Sequence, residues 1–235
     1  MKISVVLAAY KGEKYIAAQL ESVLKQLGNG DEVIVSDDFP DGQTAAAVSP
    51  FCQSDPRVRY VAGPGKGVTA NFENAMSLCT GDIIFLCDQD DVWLDGKVDC
   101  VVSAIKGGAD LVLHDASVTD ENLNITEKSY FKVHSSCNGL IKNLVRNSFV
   151  GCCMAFTADV MHAALPLPEN VPMHDWWIAL CAMKQGFRVE LIDRPLLLWR
   201  RHGENVTGGA TTAKQKIMWR LNLLGALIKI QAPSK

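Results

Sequence analysis

Long apolar runs are missing from this chain, and no window approaches the roughly 18 uninterrupted apolar residues that a membrane-spanning helix requires. The run "ISVVLAAY" at the amino terminus breaks at Lys11-Gly12 with no cleavage-site pattern beyond it, so it reads as a strand and not as an export signal. A basic excess is missing too. With 23 Lys and Arg against 26 Asp and Glu, a formal charge of -3 argues against a nucleic-acid partner, whose phosphates call for a basic face. The eight cysteines, at 52, 79, 87, 100, 137, 152, 153 and 181, show no paired CxxC spacing and lie mostly among apolar neighbours. Reduced core thiols of a cytosolic protein are therefore expected, and neither a zinc site nor a disulfide framework. The stretch "GPGKGVTANFE" is glycine-rich and carries Lys66, but the G-x-x-x-x-G-K-[ST] spacing of a phosphate-binding loop is absent. Internal repeats and low-complexity tracts are also lacking.

What is present is a rhythm of short apolar runs alternating with helical patterns as far as about Asp115, the signature of βαβ units and a largely parallel sheet. "KISVVLAA", "DEVIVSDD", "RVRYVAG", "DIIFLCDQD" and "ADLVLHDA" read as successive strands. Ile16, Leu20, Val23, Leu24 and Leu27 mark a first helix, and the ranges 68–78 and 98–105 mark two more. The expected fold is α/β, with a doubly wound, mostly parallel mixed sheet whose ligands collect at the carboxyl ends of the strands. Beyond Asp115 the alternation ends. "SFVGCCMAFT" reads as a strand, "HDWWIALCAMKQG" as a helix closed by Gly186, and "FRVELIDRPLLLWRRHG" as two short strands separated by Arg194-Pro195. One domain over residues 1–210 is expected, followed over 211–235 by an amphipathic helix that packs on the domain, on a partner or on an anionic membrane surface.

Chemistry concentrates at the strand ends. In "IIFLCDQDDVWLD" several carboxylates crowd the end of an apolar strand, where they repel one another unless a cation neutralises them. Asp88 and Asp90, two apart, can aim at one hard ion, and oxygen ligands select Mg²⁺ or Mn²⁺; Asp91 or Asp95 can instead cap the helix that follows. Asp37 and Asp38 end the second strand, where a carboxylate can accept the imide N–H of uracil or thymine or form an Asx turn. Asp175 opens a helix beside Trp176 and Trp177, which would dry and shape a site in which a partly desolvated carboxylate serves as general base. Arg200, Arg201 and His202 can meet the charge of a diphosphate.

Taken together, "VVLAAYKGEKYIAAQLESVLKQ", "VSDDFPDGQT", "FLCDQDDVWLDGK", "NSFVGCCMAF", "HDWWIALCA" and "LLLWRRHGENVTG" resemble the family 2 glycosyltransferases of GT-A fold, most of all the bacterial rhamnosyltransferases of polysaccharide biosynthesis. The resemblance runs from residue 3 to about residue 208. It implies an inverting, metal-dependent transferase that moves a sugar, L-rhamnose by preference, from a nucleotide diphosphate sugar to a hydroxyl of a glycan or lipid-linked acceptor. Ala9, Tyr10, Asp38 and Asp88 would bind the nucleotide; Asp90 and Asp88 would hold Mn²⁺ or Mg²⁺; Asp175 would be the catalytic base; His202, Arg200 and Arg201 would face the diphosphate. The donor implied is dTDP-rhamnose, with UDP-sugars open, and the location is cytoplasmic or peripheral at the inner face of the membrane. Two departures stand out: Phe39-Pro40 replaces the family's usual Gly-Ser, and Asp95 replaces its usual proline. A competing reading takes "DQDDV" as the D-x-D-x-V of a haloacid-dehalogenase-type phosphatase, with Asp88 as an aspartyl nucleophile. A binding module without catalysis is a further rival, which would lack the base or the metal residues.

Overall fold

A computed structural model describes residues 1–203 and 211–230. The expected domain boundary at residue 210 and the end of the last motif, Glu204 to Gly208, lie outside the described residues. Strands β1 (Ile3–Ala9), β2 (Glu32–Asp37), β3 (Val58–Ala62) and β4 (Ile83–Asp88) fall where the apolar runs place them, separated by α1 (Ile16–Leu24), α2 (Thr44–Ser54) and α3 (Val68–Met76). All four strands are parallel, in the order β3-β2-β1-β4, so Ala9, Asp37 and Asp88 end at one edge of the sheet. The order reverses around β1, and chain turns from neighbouring strands diverge there to leave a crevice.

The second half departs from that pattern. The short strand β5 (Val92–Trp93) and helix α4 (Lys97–Lys106) lead into β6 (Leu111–Thr119), which does not join β4 directly. Between them lies β8 (Met154–Thr157), antiparallel to both, and β6 in turn pairs in parallel with β9 (Val189–Arg200). The elements between are β7 (Ile125–Glu127), α5 (Tyr130–His134) and α6 (Leu140–Val145); α7 (Ala158–Ala164) and α8 (His174–Lys184) precede β9, and α9 (Ala213–Lys229) closes the described chain.

Four expectations are corrected here, and one helix that the sequence did not mark is added. Helix α2 carries no clear apolar period in the sequence, because only Thr44 and Val48 on it are buried and Pro50 interrupts it. The two strands expected around Arg194-Pro195 are one: β9 runs through the proline, and the register against β6 shifts at Asp115, opposite Pro195, where the missing N–H would otherwise break the ladder. The strand expected over "SFVGCCMAFT" is confined to its last four residues, since Gly151–Cys153 winds into a 3₁₀ turn. Neither Asp91 nor Asp95 caps α4. Its N-cap is Gly96 at φ +81°, Asp95 pairs with Lys25 at 2.7 Å, and Asp91 is turned inward. Trp176 and Trp177 are both core: their indole N–H groups donate to Asn143 O (2.7 Å) and Ala164 O (2.9 Å), and neither lines an open site.

Strand β4 runs through the core. Ile83 through Cys87 are fully buried, and the Phe85 ring packs at 5.4 Å from that of Trp93. Removing that ring leaves a cavity that the sheet cannot close. Phe85→Ala is expected to lower unfolding stability by about 3–5 kcal/mol, read from the midpoint of a urea titration with an unchanged slope.

Candidate active site

The crevice is floored by the ends of β1 and β4, which a side-chain amide stitches together. Gln89, the middle residue of Asp88-Gln89-Asp90, accepts from Tyr10 N at 2.8 Å and donates to Tyr10 O at 2.9 Å, extending the parallel pairing by one false rung. Gly12 makes room for it: a Cβ there would lie 2.2 Å from Gln89 Oε1. On the other side Ala9 O accepts from Asp38 N (2.8 Å) and from Asn71 Nδ2 (3.1 Å), and Asn71 also donates to Ser36 O (2.9 Å). Asn71 thereby ties the ends of β1 and β2 at the crevice.

Asp37 and Asp38 divide their tasks. Asp37 is buried, accepting from Phe39 N at 3.0 Å in an Asx turn and from the Tyr60 hydroxyl at 2.8 Å, so it is a structural residue. Asp38 is more open and pins the glycine-rich loop, with Oδ1 accepting from Gly65 N and Oδ2 from Gly67 N, both at 2.7 Å. Each of its oxygens keeps a second lone pair for a ligand. Tyr10 and Phe39 are both exposed, their rings 5.8 Å apart, with Lys11 Nζ at 5.3 Å from each.

The carboxylates of β4 converge with residues from three later elements. Asp90 Oδ2 is 2.7 Å from His202 Nε2. Asp91 Oδ1 accepts from Arg200 N at 2.9 Å, and Arg200 Nε donates to Asp90 O at 2.6 Å. Arg200 Nη1 reaches Glu121 O, and its guanidinium carbon lies 4.6 Å from the Tyr15 ring centre. Arg200 thus holds the acidic loop to the end of β9. Arg201 lies over the Trp199 ring at 5.0 Å, and its N–H continues the sheet by donating to Thr119 O. Asp175, in the first turn of α8, accepts from Gly151 N at 2.9 Å and from Trp176 N at 2.5 Å. The 3₁₀ turn that displaced the expected strand is therefore what aims a backbone N–H at Asp175.

Burial dominates the electrostatics, and repulsion among the carboxylates adds to it. Burial, then the charges of Asp90 and Asp175, push the Asp88 carboxyl up to about 7. Burial, then Asp90 and Asp88, raise Asp91 well above the ordinary range. Burial alone raises Asp175 to about 6 against the backbone N–H groups that favour its charged form. The Asp91 Oδ2 atom is buried without a hydrogen bond. Oxygen atoms of Asp88 and Asp91 and the Cys152 sulfur lie within 4.8 Å of one another, a set that differs from the expected Asp88 and Asp90 pair. Burial and its neighbours keep the Cys152 thiol protonated, so the ligands on offer are carboxylate oxygens, and these suit a hard divalent ion.

One cation is already built in, and the sequence reading missed it. Lys97 is fully buried at the start of α4, with Nζ donating to Cys152 O at 2.8 Å and lying 4.2 Å from the Trp93 ring centre. Its charge pulls the Asp88 carboxyl down, while burial lowers its own pKa. The signal was available, because a lysine in the first turn opposes the helix dipole and needs a compensating partner. Asn71 left no comparable mark in the sequence.

The comparisons agree with this geometry. The family model described as Glycosyl transferase family 2 matches residues 4–163. The dTDP-rhamnosyl transferase RfbG of Shigella flexneri is 24% identical over 229 residues, covering 89% of this chain and 76% of the relative. The Escherichia coli UDP-Glc:alpha-D-GlcNAc-diphosphoundecaprenol beta-1,3-glucosyltransferase WfgD is 27% identical over 189 residues, covering 78% and 70%. Residues 1–349 of S. aureus TarS, in complex with UDP-GlcNAc, superpose with a TM-score of 0.77 at 18% identity, over 100% of this chain and 68% of that one. The mixed sheet and carboxy-terminal helix are those of the GT-A fold, as expected. The chain belongs to glycosyltransferase family 2.

Proposed function

We propose that the protein is an inverting glycosyltransferase that uses a nucleoside diphosphate sugar, with dTDP-rhamnose its preferred donor and a glycan or lipid-linked hydroxyl its acceptor. The observation that carries this reading is that Asp175, distant in the chain, comes close enough to Asp88 and Asp90 to act on the Asp88 charge, with His202 bonded to Asp90. The preference for dTDP-rhamnose rests on the likeness to RfbG, and the likeness to WfgD keeps UDP-glucose as the comparison donor. The base would lie against Tyr10 and Phe39, with Asp38 accepting its imide N–H, a contact that thymine and uracil make alike.

Asp88 and Asp90 would hold Mn²⁺ or Mg²⁺, which when bound neutralises charge on the leaving diphosphate. Asp91 supports them from beneath through Arg200. Asp175 takes the proton of the acceptor hydroxyl, the hydroxyl oxygen bonds to the anomeric carbon, and the bond from that carbon to the phosphate oxygen breaks. The electron pair leaves on the nucleoside diphosphate. A single displacement of this kind inverts the anomeric configuration. Gly151 N and Trp176 N fix the Asp175 carboxylate in place, and its raised pKa makes it a better proton acceptor than an exposed aspartate. His202, on Asp90, would face the diphosphate; Arg201 would lie further out along β9, and Arg200 would act by holding the loop.

The phosphatase reading is not favoured. The family match is to a transferase and not to a phosphatase.

Transfer from dTDP-rhamnose and UDP-glucose, followed by release of the free nucleoside diphosphate with Mn²⁺ present, tests the proposal. Asp175→Asn is expected to reduce turnover by about 10²–10⁴-fold while the donor still raises the melting temperature. Asp90→Ala is expected to abolish the Mn²⁺-dependent part of that stabilisation. Near-normal turnover in Asp175→Asn would remove it as the base.

The raised carboxylates also predict a pH dependence. Since the folded values of Asp88 and Asp175 exceed the ordinary 3.8, their relative stabilisation of the fold is complete below that value and is lost as pH rises through about 6 to 7. Mn²⁺ offsets this repulsion only when the groups are ionised, so its effect on the melting temperature should be larger at pH 8 than at pH 5, as differential scanning fluorimetry would show.

A further inference from the structure

Helix α9 carries more apolar surface than its seat on the domain uses. Leu223 and Leu227 are buried and attach it to α6 and α8. Ile217, Leu221, Leu224 and Ile228 form a second stripe, 60%, 58%, 43% and 73% exposed. At 100° per residue these four fall within about 60° of arc, centred roughly 110° away from the buried pair. The same surface continues on α6, whose Val145 carbonyl accepts from Arg220 of α9 and whose Ile141 and Val145 are 78% and 59% exposed. Singly exposed apolar residues are ordinary, but a stripe about 17 Å long on a helix already anchored by its other face is a surface left for something else.

Charge identifies the occupant. Residues 211–230 contain Lys214, Lys216, Arg220 and Lys229 and no acidic residue, and residues 128–158 likewise contain only basic charges. The whole chain is at -3, so this cationic face stands against the balance of the molecule. A second copy docked by a two-fold contact would set this unrelieved positive charge against itself. An anionic lipid surface instead takes the apolar stripe among its acyl chains and the lysines at its headgroups.

We infer that α9, with the adjoining face of α6, docks the domain on anionic membrane as an interfacial helix lying in the plane of the bilayer. No helix among the described residues is long and apolar enough to cross it. Because α9 packs on α8, docking brings the helix that opens with Asp175 close to the lipid surface. The inference stands on the stripe and the charge, independent of the catalytic reading.

Co-sedimentation of the full chain with vesicles tests it. Vesicles of equal parts phosphatidylglycerol and phosphatidylcholine should bind at least about tenfold more tightly than phosphatidylcholine alone, and added salt should weaken that binding. The exposed double variant Leu221→Ser, Leu224→Ser should keep its melting temperature and lose vesicle binding by a similar factor. Lys214→Glu with Lys229→Glu should lose the preference for anionic lipid. Binding that is absent, or equal on the two vesicle types, would overturn the proposal. So would a wild-type dimer in light scattering that the leucine variant converts to monomer, since a second copy would then cover the face.

Discussion

The mutual repulsion of Asp88, Asp90 and Asp91, to which Asp175 adds at Asp88, is the constraint around which the surrounding structure is arranged. Each of these groups has an answer from a different part of the chain. Asp91 has the Arg200 N–H, Asp90 has His202, Asp175 has the Gly151 and Trp176 N–H groups, and Lys97 supplies a full positive charge beneath the cluster. None of these partners removes the strain on Asp88. Asp88 and Asp91 stay raised despite these partners, with Asp91 Oδ2 buried and unbonded, and the oxygen donors they offer would suit a hard cation.

The half of the crevice proposed for the nucleotide depends on backbone control. Parallel strands leave their last carbonyls and N–H groups without partners, and side-chain amides take over that pairing here: Gln89 for Tyr10, Asn71 for Ala9 and Ser36. Asp38 performs the same service for the loop at Gly65 and Gly67. Positions that hold a ligand are thus fixed before it arrives, which lowers the ordering entropy that binding must overcome.

Legibility in the sequence followed the strength of the local pattern. Strands β1, β2 and β4 carry continuous apolar runs because both faces of the parallel sheet are covered there, and such runs can be read without a structure. The convergence of Asp88, Asp90 and Asp175 came from motif order and not from periodicity, since no local rule ties residue 175 to residue 88. Helix α2 was invisible because so little of it is buried, and β9 was split in two because its bulge at Asp193-Arg194, just before Pro195, shows only in the pairing with β6 and not in the strand alone. Lys97 was passed over for a related reason. A lysine after Asp95-Gly96 looks solvated until the fold turns the start of α4 inward onto Cys152.

The basic cluster at the end of β9 shows why residue type alone misassigns roles. Arg200 offers the fork that phosphate oxygens favour, yet its Nε and Nη1 groups reach backbone carbonyls at Asp90 and Glu121, and it is nearly buried. Removing its side chain would take away the bonds to Asp90 O and Glu121 O, while the backbone N–H bond to Asp91 would stay. His202 sits one turn of chain further out, with its ring 5.1 Å from that of Tyr15 and Nε2 on Asp90. A histidine bonded to a proposed metal ligand senses the charge on that ligand, so arrival of a cation and diphosphate would change the partner of His202 while leaving Arg200 in place. The two neighbours therefore differ in place: one keeps the loop in shape, and the other is the residue proposed to face the diphosphate.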